Sequence, residues 1–352
     1  MLHHTVKKRN VVFDCSLNIL DDGLQNELYT AFATTANPGD EKGFLIAALR
    51  CFFPSLRFLE NKQDVTFALA RETMSRIGER LLREYKASMH KSTSPVPHNL
   101  VSLLAQSNTI EDVSGHPRMT DEDILAQVHT FFCAGYLTTS LTVTWALYEL
   151  TQNKMVQNKL REELLAVDTD NPTMDQLNSL PYLDMFIRET LRLHAPLETT
   201  VRAAVEDVVL PLNHPVTDQK GVSHHILRLR KGQMVFIPIL VMNRQKSIWG
   251  DDALEFRPER WKTIPSAARE VPGVWGNMMT FFDGPRACPG FRFSLVEMRA
   301  LLFTLVRAFE FELAVRPEGI TVKSSFIHRP ICLNGLGGQD QMPLLIKPVL
   351  NN

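Results

Sequence analysis

One cysteine, Cys288, stands in the stretch Phe281-Phe282-Asp283-Gly284-Pro285-Arg286-Ala287-Cys288-Pro289-Gly290, just ahead of an amphipathic run that begins near Phe291. Backbone N–H groups and the positive end of a helix dipole favour a thiolate at such a place, and a thiolate is either a metal ligand or a nucleophile. Upstream, Glu189-x-x-Arg192 has the i,i+3 spacing that puts both side chains on one helix face. An isolated pair of that kind is worth a few tenths of a kcal/mol, but Phe256-Arg257-Pro258-Glu259-Arg260-Trp261 follows it and adds a second arginine. Thr130, Ala134 and Thr138 recur every four residues and share a face of another helix, with Cys133 beside them.

These residues need elements to position them. Ile124 to Tyr148 carries no Asp, Glu, Lys or Arg and is long enough to cross a bilayer. Gln127, His129 and five threonines interrupt it, however, and Asp121, Glu122 and Asp123 flank its start. A buried central helix is the better reading, capped at Thr120 and running to about Asn153. Helical spacing also predicts helices over 44–53, 63–89, 98–107, 155–167, 182–193 and 291–309. The runs 200–212 and 226–239 alternate like strands, the segment 248–276 is rich in loops, and the tail from Phe311 reads as strands and turns. Residues 1 to about 40 give weak signals and end in a loop at Asn37-Pro38-Gly39-Asp40. The class is therefore mainly α with small β sheets (α+β), without internal repeats or a convincing linker.

With 352 residues, 44% of them hydrophobic, the chain can bury a large core. A net charge of −1, from 38 basic and 39 acidic residues, gives no field that would draw in nucleic acid or an anionic membrane. The five cysteines include no C-x-x-C pair, which argues against a zinc site or a disulfide framework and suits a reducing compartment. Asp14 interrupts the apolar run after Lys7-Lys8-Arg9 too early for a signal peptide.

The order Ala134-Gly135-x-x-Thr138-Thr139, then E-x-x-R, then F-x-P-E-R-W, then F-x-x-G-x-R-x-C-x-G resembles the haem-thiolate monooxygenases, the cytochrome P450 family, and most of all a fungal, microsomal-type member of the kind used in secondary metabolism. The resemblance covers roughly Phe44 to the C-terminus. It implies the cytochrome P450 fold, haem b (heme, iron protoporphyrin IX), and insertion of one atom of O2 into a lipophilic small molecule. Electrons would come from NADPH through an NADPH-cytochrome P450 reductase at the endoplasmic reticulum.

By the same resemblance, Cys288 is the axial iron ligand and Arg286 a propionate contact, with Arg202 a second one. Phe281 packs by the sulfur, Gly284 and Gly290 let backbone N–H groups approach it, and Ala134 lies over the ring. Glu189, Arg192 and Arg260 form a buried charge network whose rupture costs about 3–5 kcal/mol. Thr138 is the hydroxyl that helps deliver protons to bound oxygen, and a bulge at Gly135 makes room there. Thr130, Cys133, Ala134, Leu197, Thr200 and Phe326 line the substrate pocket, and Glu198 is either a steering group or a solvated carboxylate.

The chain departs from the family in two ways. The position before Thr138 is usually Asp or Glu and here is Leu137, so the proton relay lacks its acid partner. The Trp-x-x-x-Arg contact has no counterpart, since the tryptophans are Trp145, Trp249, Trp261 and Trp275, and by the resemblance the membrane anchor, first sheet strands and early helices are expected to be lacking. The expected organisation is one P450 domain over 1–352, with a poorly matched remnant at 1–43, a family-like core at 44–352, unpaired strand edges, and a cytoplasmic or peripheral location. Alternatives are a truncated homologue that binds haem weakly or not at all, and a haem-thiolate isomerase, dehydratase or peroxide-driven enzyme.

Overall fold

The computed structural model describes residues 9–10, 15–16, 62–89, 103–105, 119–323, 327–333 and 341–349. The helix expected over 44–53, the loop Asn37 to Asp40, most of 98–107 and Phe326 lie outside them. The chain divides into two compact units, 1–137 and 138–352, with the helix Asp121–Gln152 running through the division.

In the first unit the helix Lys62–Met89 buries Ala70, Met74, Leu81 and Tyr85 in one cluster with Ile124 and Val128. A Cβ added at Gly78 would lie 3.2 Å from both Leu125 and Val128, so glycine is what lets the two backbones come this close. The helix Asp121–Gln152 begins with a reciprocal cap: Asp123 N–H donates to Thr120 Oγ1 (3.1 Å) and Thr120 N–H to Asp123 Oδ2 (2.8 Å). A two-residue pair, Arg9–Asn10 with Cys15–Ser16, completes what is described of this unit.

The second unit is built around the helices Lys154–Leu165, Pro181–Leu193 and Phe291–Ala308. Asn153 caps the first by accepting from Val156 N–H (3.1 Å), and Val156, Leu160 and Leu164 then recur every four residues on its buried face. Pro181 opens the second at a position where its missing N–H is harmless. The next two N–H groups, of Tyr182 and Leu183, donate to the carboxylate of Glu163 on the neighbouring helix (2.7 and 2.8 Å). Leu183, Phe186, Ile187, Phe303 and Val306 meet in the core, each worth about 1.5–3 kcal/mol of burial. No helix among the described residues is long and apolar enough to cross a membrane.

All sheets among the described residues are two-stranded and antiparallel; those of the second unit are Thr200–Ala203 with Met234–Ile237, Val208–Thr217 with Ser223–Leu229, Ile320–Lys323 with Arg329–Cys332, and Phe309–Leu313 with Leu344–Pro348. The run 200–212 is thus parts of two strands, broken where Asp207 turns to accept Lys231 N–H (2.8 Å). Ile239 opens a short helix, Ile239–Arg244, because Pro238 ends the strand ladder. The fold is mainly α with small β sheets.

Candidate functional site

The cysteine loop is held by its own backbone. Cys288 N–H donates to Phe281 O (2.8 Å) and Ala287 N–H to Gly284 O (3.0 Å), closing a 3₁₀ turn over Gly284–Arg286. Gly284 sits at φ +68°, where a side chain is strained. Phe282, at φ +61° and ψ −167°, holds a conformation otherwise left to glycine. The Arg202 guanidinium lies 4.6 Å from the Phe282 ring centre, while its Nη1 donates to Thr200 Oγ1 and Val201 O.

Two influences on the Cys288 sulfur oppose each other. Burial raises the thiol's pKa, and a hydrogen bond from Gly290 N–H lowers it. Burial wins, so the expectation that the loop itself favours a thiolate is reversed: desolvation outweighs the helix terminus. Gly290, at φ −90° with open space where a Cβ would stand, is required neither by sterics nor by conformation within the chain.

The sulfur opens on a small, partly open apolar cleft. Thr138, Thr139 and Thr142 form one wall, and Phe281, Cys288, Ser294 and Met298 contribute from the cysteine loop and the helix after it. Leu191, Pro196 and Leu197 come from the end of the E-x-x-R helix and the segment beyond.

Of the residues expected from the sequence, the cleft gathers Thr138, Leu197, Phe281 and Cys288. Thr142, one turn after Thr138, and the pair Ser294 and Met298, four apart on their helix, carried a periodic signal that could have found them. Thr130 and Ala134 belong to the first unit and are exposed, with the Thr130 hydroxyl donating to Ala126 O (3.2 Å). The side chain of Cys133 and all of Phe326 lie outside the described residues. Thr200 does not line the cleft, and its hydroxyl accepts from Arg202 Nη1. Arg286 is exposed, without an ion pair among the described residues. No bulge forms at Gly135: its missing Cβ weakens the helix, but the α conformation continues from Asp121 to Gln152.

Behind the cleft, Glu189 and Arg192 are fully buried and joined by a bidentate pair (Nη2 to Oε1 2.8 Å, Nε to Oε2 3.0 Å). Arg260 Nε reaches the same carboxylate at 3.2 Å, with Trp261 Nε1 at 3.0 Å and Arg257 N–H at 3.0 Å. Asp252, which the motifs did not reveal, holds Arg260 Nη1 at 2.6 Å. Arg192 donates its remaining N–H groups to Asn243 O, Ala253 O and Glu255 O, and Arg260 donates to Trp249 O and Asp252 O. The guanidinium groups thereby fix the loop-rich segment, whose carbonyls would otherwise be buried without donors.

A sequence profile of cytochrome P450 matches residues 9–331. Two proteins from Postia placenta, cytochrome P450 monooxygenases 205 and 128, are each 46% identical to the chain, over 96% and 95% of it. Ganoderic acid synthetase from Ganoderma lucidum is 38% identical over 70% of the chain and 47% of its own length. The chain spans 63% of the length of each Postia protein.

Proposed function

The chain belongs to the cytochrome P450 family, and from that premise we propose that Cys288 holds the iron of haem b and that the protein inserts one atom of O2 into a lipophilic organic molecule, with electrons from NADPH by way of a reductase. The observation that carries the reading is the cleft: a cysteine sulfur and a threonine-bearing helix line one apolar space. The donor set fits haem. Among the described residues no three His, Cys, Asp or Glu side chains gather into a metal site, so this lone sulfur suits an iron that brings its own equatorial nitrogens.

Bound there, haem supplies oxygen activation, with electron density pushed in from the thiolate. The chain does the rest. Gly290 N–H, directed at the sulfur, tempers its charge. Phe281, largely buried, keeps water from the sulfur, and its ring is braced by Trp275 and Phe291 at 5.9 and 6.0 Å between centres. Arg286 and Arg202, both exposed, are the donors for the propionates. Thr138, Thr139 and Thr142 offer hydroxyls for holding or passing a proton, while Leu191, Pro196 and Leu197 present apolar surface to the substrate. The Glu189 network holds the loop-rich segment in place behind them.

The test is the absorption spectrum of the reduced, carbon monoxide-bound protein. A strongly red-shifted Soret band is expected and should vanish in Cys288→Ser; a chain that takes up no haem overturns the reading. Leu137 leaves proton delivery without an adjacent carboxylate, so Leu137→Glu should raise the ratio of oxygenated product to released peroxide. An unchanged ratio would show that the hydroxyls or solvent suffice.

A further inference from the structure

A second polar cluster lies where the E-x-x-R helix ends, and neither the family motifs nor the cleft accounts for it. His194, the C-terminal cap of that helix, is buried with its ring stacked on Trp145 (centres 4.5 Å apart, planes 9° apart). Its Nε2 is 2.6 Å from Oε1 of buried Glu149, one turn beyond Trp145 on the central helix. Trp145 Nε1 donates to His328 O (3.0 Å), and His328 N–H donates to Pro196 O (2.9 Å). The His328 ring is buried 5.7 Å from that of His194, its Nδ1 lies 2.9 Å from Glu198 Oε1, and Leu197 bridges to Ile327. Glu198 is therefore paired with His328 and is not a freely solvated carboxylate.

The protonation of both rings can be read from their partners. Arginine only donates, so the contact of Arg244 Nη2 with His328 Nε2 (3.4 Å) requires a bare Nε2, and the proton sits on Nδ1, facing Glu198. Arg244 is itself fixed by donation to Leu193 O. His194 donates from Nε2 to Glu149 and its Nδ1 has no partner among the described residues, so a second proton there would be a buried donor without an acceptor among them. We propose that the Glu149–His194 and Glu198–His328 pairs, joined through Trp145, are a positioning clasp that holds the Leu197 wall of the cleft to the central helix while both imidazoles are neutral.

The groups facing these rings are Glu149, Glu198, Arg244, Arg192 and each other, with Tyr148 edge-on to Trp145. For His194 burial is the largest influence and lowers the pKa, against the pull of Glu149. For His328 burial again leads, aided by His194 and Arg244 and opposed by Glu198. Each ring thus binds its proton more weakly closed than open. An open-state pKa of about 6.5 makes each histidine raise the opening equilibrium about tenfold between pH 7.5 and 5.5, hence about 100-fold for the two. The clasp is tight above the open-state pKa and loosens as pH falls through it.

The clasp deepens the proposed function by naming what sets one wall of the substrate space, but its test needs neither haem nor turnover. Hydrogen exchange of the full chain is followed at the His328 amide, bonded to Pro196 O, and the Leu240 amide, bonded to Glu198 O, with the Leu183 amide as reference. After correction for intrinsic rates, opening should rise about 100-fold from pH 7.5 to 5.5 at the first two amides and not at the third. His194→Gln, which keeps a donor at the Nε2 position, and His328→Asn, which keeps one at Nδ1, should each leave about a tenfold rise, and together none. A flat wild-type profile, or a double variant that keeps the pH dependence, overturns the proposal. Should the variants not fold, nitrogen-15 spectra of the wild-type rings decide: both neutral at pH 7, His194 protonated at Nε2 and His328 at Nδ1, with a charged ring or the opposite tautomer refuting it. The carbon monoxide spectrum of the same sample tests the haem reading separately.

Discussion

Two polar clusters are buried at the end of one helix, two residues apart in sequence, and they are constructed differently. Around Glu189 every valence is used: five donors converge on its two oxygens, and Arg192 spends its N–H groups on Glu189 and three carbonyls. Around His194 one valence stays open, since its Nδ1 has no partner among the described residues. Arginine keeps its proton at any pH the fold survives, whereas imidazole changes charge near neutrality. Burial therefore gives a fixed anchor in the first cluster and an adjustable contact in the second.

Applying one substitution to both clusters is the sharpest way to break that contrast. Glu189→Gln leaves the buried Arg192 without a carboxylate and Arg260 with Asp252 alone, and should cost about 3–5 kcal/mol, read from the urea midpoint at unchanged slope. Glu149→Gln leaves an amide oxygen able to accept from neutral His194 and should cost no more than about 1.5 kcal/mol. Similar losses from the two would mean that saturation does not separate the clusters.

Asp252 refines the first cluster. It is the second carboxylate on Arg260, and its side chain is 25% exposed. Asp252→Asn should cost about 1.5–3 kcal/mol near neutral pH, the usual worth of a hydrogen bond to a charged group. The bond from Arg260 is the main cause holding the Asp252 carboxyl below its ordinary range, and burial opposes it. A depressed acid stabilises the fold above its unfolded pKa of about 3.9 and loses that stabilisation as pH falls through the folded value. Wild type and Asp252→Asn should therefore differ in full at pH 7 and converge in acid; a gap that persists there would assign the loss to packing.

The sequence shows the anchor better than the clasp, for reasons of distance along the chain. E-x-x-R is a local spacing, and the acidic start after Thr120 and the uncharged run to Tyr148 mark the central helix without reference to anything remote. Phe281 to Gly290 is likewise local, since its loop closes on itself from Phe281 O to Cys288 N–H. What could not be read is what is far apart, such as Trp145 with His194 and His328, and what no motif marks, such as Asp252, eight residues before Arg260, and Glu163 capping the next helix. Trp145 and His328 are 183 residues apart. Spacing can place Trp145 and Glu149 on one face but cannot say what stacks there. Thiol acidity is hidden from the sequence for a related reason. The helix terminus is visible in sequence, while the burial that outweighs it belongs to the folded chain.

The smallest expected effect separates position from titration within the clasp. Trp145→Phe keeps an aromatic face for His194 but removes the N–H that holds His328 O. One lost hydrogen bond is worth about 0.5–1.5 kcal/mol, which converts to roughly a 2- to 10-fold rise in opening of the Leu197 wall at pH 7.5. Because neither imidazole is touched, the rise from pH 7.5 to 5.5 should stay near 100-fold, displaced upward as a whole. If Trp145→Phe flattened the pH profile instead, the indole rather than the two histidines would be what senses the proton, through its control of how deeply the rings are buried.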